Sequence, residues 1–220
     1  MRFFLGLISS ITISNFLFGQ QSEFPKGGYA TFEELREQKP SVDFDFIVRK
    51  RDTLEIRNNR GNDYELLSTS GSISKAFIKK RIFAVSTGDS LFINCNRNDL
   101  QKGYAYAFLE GKYVVFNSAI PKEEIKQMAN NNGLVFGIIG GVLLAFIVTE
   151  TKLHNHAMLR FPFVLDMSNG AVFYLERYRL LDFLNQKPKL KEKYLAETNK
   201  DSPDVILDYI KQLNESLLQK

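Results

Sequence analysis

The spacing of apolar residues changes period several times along the chain. Residues 3–18 form an apolar run broken only by Gly, Ser, Thr and Asn, behind the single positive charge of Arg2. The small residue Gly19 and the polar pair Gln20-Gln21 follow. This is the layout of a secretory signal peptide, assigned to residues 1–20. Leu17 is large where cleavage after Gly19 favours a small residue, so an uncleaved anchor is the alternative. No cysteine follows the run, so no thiol is there to be acylated. Phe24-Pro25-Lys26-Gly27-Gly28 then reads as a joint. Thr31, with Glu34 three residues later, has the capping-box form and predicts a short helix that stops before Pro40.

From 43 to 117 the period shortens to two. Phe44, Phe46 and Val48 alternate with Asp45, Ile47 and Arg49. Leu54 and Ile56 alternate with Glu55 and Arg57, ahead of the turn residues Asn58-Asn59-Arg60-Gly61-Asn62. Residues 76–85 and 91–95 flank Thr87-Gly88-Asp89, and residues 104–109 and 112–116 flank Glu110-Gly111. Each arrangement is a hairpin signal. A β-rich domain is therefore expected over 29–117.

Pro121 opens a helix, with Glu123 and Glu124 suited to its positive end. After Asn130-Asn131-Asn132 comes 133–148, a stretch without a polar side chain. As a helix it would span roughly 24 Å, short of a hydrocarbon core of about 30 Å. Gly133, Gly137 and Gly141 recur every fourth residue, with Gly140 beside them. Such a stripe lets helices approach closely in lipid. In water each glycine costs a helix about 1 kcal/mol relative to alanine. The pattern favours a transmembrane, membrane-packing helix within 121–149. A helix buried against protein is the alternative, and the stripe also leaves self-association open.

The last part, 157–220, begins with a second hairpin pattern. Phe161, Phe163 and Leu165 share a face, Met167-Ser168-Asn169-Gly170 turns, and 171–175 returns. Asn-Gly is a strong type I′ signal. Helices follow, the last capped by Ser202 with Pro203 at its first position and an apolar stripe of Ile206, Ile210, Leu213 and Leu217. The expected class is α+β, with a small antiparallel sheet, sandwich or open barrel, an apolar Gly-rich helix and a helical C-terminal part.

The composition permits a packed core, with 44% hydrophobic and 25% charged residues in 220. A net charge of +4 makes the chain mildly basic. Two basic triplets, Arg49-Lys50-Arg51 and Lys79-Lys80-Arg81, read chiefly as solvated faces, with contact to anionic lipid or polysaccharide as the rival. Export argues against nucleic acid. The single cysteine, Cys95, lies on the Leu91/Ile93 side of an alternating run and reads as a small buried hydrophobe. No phosphate loop, dinucleotide fingerprint or nucleophile elbow is present. Thr69-Ser70-Gly71-Ser72 reads as a loop. His154-Asn155-His156 with Glu150 falls short of the three or four ligands of a zinc site. The carboxylate pairs Asp43/Asp45 and Glu123/Glu124 read as solvated charges. No catalytic, cofactor or metal residue is assigned.

Several local sequences resemble a family. Gly28-Tyr29-Ala30-Thr31-Phe32-Glu33-Glu34 with Lys39-Pro40-Ser41 is similar to the opening of uncharacterised exported proteins common in Bacteroidota. Arg81-Ile82-Phe83-Ala84-Val85, Gly88-Asp89-Ser90-Leu91-Phe92-Ile93-Asn94 and Glu110-Gly111-Lys112-Tyr113 resemble their middle. Leu165-Asp166-Met167 with Gly170, then 190–194 and 209–214, resemble their end. Phe83 stands where the resemblance leads one to expect Trp. The resemblance implies a secreted or envelope location and brings no reaction with it. Together these patterns point to a non-enzymatic, envelope-associated binding or scaffolding protein with membrane as a partner and an unassigned ligand. The alternatives are a soluble periplasmic protein with a buried Gly-rich helix and a hydrolase acting on envelope polymers.

Overall fold

A computed structural model describes residues 23–43, 45–98, 100–119 and 160–218. Among them, nine strands form one antiparallel sheet. β1 (Gly27–Tyr29), β4 (Ala84–Ser86), β5 (Leu91–Asn94), β6 (Tyr104–Leu109), β7 (Tyr113–Ser118), β8 (Phe161–Asp166) and β9 (Val172–Tyr174) lie side by side in that order. β2 (Phe46–Lys50) pairs with β3 (Tyr64–Ser68), which joins β6 where Tyr64 faces Tyr104. The path ends at β1 and β9, so the sheet stays open. The expected α+β class, with an antiparallel sheet and a helical C-terminal part, holds.

Side chains alternate between the faces of a strand, and the burial follows that period. The inner face carries Leu91 and Ile93 of β5, Val114 and Phe116 of β7, and Phe163 and Leu165 of β8. Helix α1 (Phe32–Arg36) lies against this face through fully buried Leu35. The Phe32 ring packs edge-on against Phe83, with centroids 5.9 Å apart. It also occupies the space above Gly170, where an added Cβ would lie 2.8 Å from the ring. Thus α1 ties the β1–β4 end of the sheet to the β8–β9 turn.

The outer face has two covers. Helices α4 (Arg177–Leu184), α5 (Pro188–Leu195) and α6 (Pro203–Leu218) seal β7 and β8. The Tyr113 ring stacks on Phe183 at 4.4 Å. Buried Asn214 of α6 accepts from the Tyr113 N–H at 2.9 Å and donates to the Tyr113 carbonyl at 2.8 Å. Helix α3 (Lys75–Arg81), with β2 and β3, covers β4 to β6 through Phe46, Leu66, Ile78, Ile82 and Phe92, while α2 (Thr53–Asn59) connects β2 to β3.

Three local expectations change. The alternating run around Leu54 and Ile56 is α2. Asp52 accepts from the Glu55 N–H at 2.7 Å and Glu55 accepts from the Asp52 N–H at 3.0 Å. This reciprocal cap starts a helix where the short alternation alone reads as strand. The run 76–85 is mostly α3, capped by Ser74, and its Ile78 and Ile82 lie four apart and reach the core as a helical face. Only Ala84–Ser86 is strand. In the β8–β9 connection, the Asp166 carbonyl accepts from both the Asn169 and Gly170 N–H groups. Gly170 has φ +78 while Asn169 does not take positive φ, so the turn is a four-residue loop rather than a two-residue type I′ turn.

The expectation of a membrane protein with a transmembrane helix is corrected. Among the described residues no helix is long and apolar enough to cross a membrane. Residues 133–148, with Gly133, Gly137, Gly140 and Gly141, lie outside the described residues, as do the helix at Pro121 and the signal segment 1–20. β7 and β8 pair along their whole length, from Tyr113 opposite Asp166 to Ser118 opposite Phe161. The chain on both sides of 120–159 therefore belongs to one sheet.

Candidate functional site

The second cover, around α3, differs in kind from the first. The last carbonyls of a helix need partners from outside it. Here they come from the sheet and the 3-10 turn Cys95–Asn98. The buried Asn94 amide donates to the Ile82 carbonyl at 2.6 Å and to Lys79 at 3.1 Å. The Tyr104 hydroxyl donates to Ile78 at 2.7 Å, and Arg97 donates to Lys80 at 2.6 Å. Burial pushes the Tyr104 phenol far up, so it stays protonated as that donor. The carbonyls of Ile78, Lys79, Lys80 and Ile82 are thus satisfied without the basic side chains that stand on α3. Lys75, Lys79, Lys80 and Arg81 are exposed, and none of their side chains has a hydrogen-bond or ion-pair partner among the described residues.

Beside α3 lies a cleft of about 360 Å³, bounded by α2, β3, α3 and the start of β6. Lys75, Lys79 and Lys102 stand around it, with Asn59, Tyr64 and Asn96 in its wall. A second groove of about 460 Å³ continues past α3 between Lys80, Arg97 and Leu100, and Lys79 and Asn96 border both. Two carboxylates, Glu55 and Glu65, line the cleft, and Arg49 holds both. It donates to Glu55 at 2.9 and 2.6 Å and to Glu65 at 2.7 Å. These bonds hold the Glu55 carboxyl down to about 2. Arg51 is buried and committed to backbone, donating to the Asn62 carbonyl at 2.8 Å and the Glu55 carbonyl at 3.1 Å. The two acids thus face two guanidinium groups, Arg49 and Arg51, and the lysine side chains make no ion pair among the described residues. Such a rim attracts anions.

The other sequence candidates separate clearly. Cys95 is wholly buried and its thiol is pushed up to about 12, first by desolvation, so it is unsuited to act as a thiolate. Asp45 does gather serines. It accepts from Ser68 at 3.1 Å, from Ser72 at 3.0 Å and from the Ser70 hydroxyl, and these bonds hold its carboxyl below the usual range. Through its Oδ2, Asp45 pins the loop at Ser70. Glu123, Glu124, Glu150, His154 and His156 lie outside the described residues. Among the described residues no group of three potential metal ligands comes together.

Two features escaped the sequence reading. Asn62 looked like a turn residue, yet it is fully buried. Its amide donates to the Gln101 carbonyl at 2.8 Å and accepts from the Ala119 N–H at 2.9 Å. Arg160 adds an ion pair to Asp63 at 2.6 Å. This knot fixes the start of β6 and the ends of β7 and β8 at one edge of the cleft. Lys102 and Asn96 were also missed, because their place beside α3 comes only from strand pairing.

The chain belongs to a protein family described as a family of unknown function (DUF6563), which matches residues 27–217. No curated protein and no solved structure matches the chain. The matched span runs from β1 into α6 and includes the whole lysine-rimmed cleft.

Proposed function

We propose that this member of the DUF6563 family is an exported, non-enzymatic binding module of the cell envelope whose binding face is the cleft beside α3. One observation carries the binding role. Lys75, Lys79 and Lys102 stand around a single cleft without partners among the described residues, while both of its carboxylates are tied to Arg49. A hydrolase would need an acid and a base facing one another across its substrate. Both acids of this cleft are engaged by Arg49, and Glu55 is held ionised by it, which favours binding over hydrolysis. Export rests on the signal-like residues 1–20 and on the resemblance to exported Bacteroidota proteins.

Thermal unfolding tests the binding role. Dextran sulfate at low salt should raise the melting temperature, and the rise should fade as the Debye length falls to about 3 Å near 1 M salt. Neutral dextran should leave it unchanged. An equal rise with both polymers, or none with either, would refute the reading. Fractionation of the producing cell tests the location, and recovery of the protein in the cytosol would remove the export half.

A further inference from the structure

Resting on that binding reading, the geometry points to an acidic polysaccharide as the occupant: an extended chain of carboxylated or sulfated sugars lying along α3 from the cleft into the adjoining groove. The cations do not converge as they would around a small anion. Lys75 and Lys79 are one turn apart, about 6 Å along the helix axis. Lys80 and Arg97 continue the line into the second groove, and Lys102 faces them from the start of β6. Charge spread over two joined, open grooves matches a ligand that carries repeated charges.

The remaining wall chemistry separates a glycan from a nucleic acid. A single-strand site stacks bases on exposed rings. Here Tyr104 is 2% exposed, with its hydroxyl turned to the Ile78 carbonyl. Tyr64 is half-buried, packed edge-on against Phe92 at 5.1 Å. Tyr64 and Tyr104 are the aromatic residues in the described lining of the cleft, one half-buried and the other buried. The cleft also presents amides. Asn59 makes no side-chain hydrogen bond among the described residues. Asn96 donates to Asn94 at 2.9 Å, which leaves its own carbonyl oxygen available at the junction of the two grooves. An amide both donates and accepts, as a sugar hydroxyl does. Ammonium groups for the acids and amides for the hydroxyls together describe a polyhydroxylated polyanion.

The full chain should be titrated with polygalacturonate, neutral dextran and an oligodeoxythymidylate of similar charge. Polygalacturonate should bind tightest and neutral dextran not at all. Lys79→Glu with Lys102→Glu should weaken polygalacturonate binding at least about tenfold at low salt. Lys189→Glu, in the separate groove between α5 and α6, should leave it unchanged. Asn59→Ala should weaken polygalacturonate about threefold, the size of one lost hydrogen bond, and leave the oligonucleotide unaffected. All of these side chains are exposed, so melting temperatures report that the variants fold. If the oligonucleotide binds as tightly as polygalacturonate through the same lysines, the anion site stands and the polysaccharide assignment falls. If no anionic polymer binds, both fall. If the Lys189 reversal costs as much as the cleft reversals, binding is diffuse and the site is wrong.

Discussion

Arg49-Lys50-Arg51 and Lys79-Lys80-Arg81 look alike in the sequence and meet opposite fates in the fold. The first triplet lies at the end of β2, where Glu55, Glu65 and buried carbonyls absorb its arginines. The second ends α3, whose carbonyls are already satisfied by Asn94, Tyr104 and Arg97. Neighbours, not composition, decide whether a basic run is structural cement or a docking surface. Internal partners stiffen the scaffold that shapes the cleft, whereas the basic side chains of α3 have none among the described residues and leave their charge exposed.

The largest break in this comparison should come from Arg51. Arg51→Met leaves the buried Asn62 carbonyl without its donor and removes the second bond to the Glu55 carbonyl. Buried acceptors left unsatisfied cost about 1–3 kcal/mol each. Urea unfolding should show a loss of about 2–3 kcal/mol for Arg51→Met and less than about 0.5 kcal/mol for exposed Lys80→Met. Equal losses would erase the distinction between the triplets.

A smaller effect should appear with pH. Arg49 lowers the Glu55 carboxyl from 4.5 to about 2. A lowered carboxylate stabilises the fold above its unfolded value, and that contribution is lost as pH falls through the folded one. The urea midpoint of Arg49→Met should therefore lie below that of the parent at pH 6 and approach it between 4.5 and about 2. Because the pair is exposed, the gap should be small. Lys79→Met should track the parent throughout. A gap for Arg49→Met that persists unchanged at pH 2 would mean that its carboxylate pairs do not carry the effect.

Much of the scaffold was legible locally. Gly88 and Gly111 marked the tight connections of β4–β5 and β6–β7, and both take positive φ. Thr31 and the Ile206, Ile210, Leu213 stripe announced α1 and α6. What depended on distant partners was not legible. The pairing of β7 with β8 joins residues on either side of 120–159, and no local pattern announces it. α3 read as strand because its four-residue spacing of Ile78 and Ile82 is brief and merges into β4. Part of the candidate site, Lys79 and Lys80, stood out as charge within Lys79-Lys80-Arg81. Another part, Asn59, Asn96 and Lys102, comes from three separate elements and gains meaning only when β3, β5 and β6 lie side by side.

Hydrogen exchange of the full chain with and without polygalacturonate bears most directly on the contrast between the two triplets. Bound polymer should slow exchange at 75–81 and 95–104 and leave 46–51 unchanged. Protection confined to 46–51 or to the groove between α5 and α6, or no protection anywhere, would contradict a binding face beside α3.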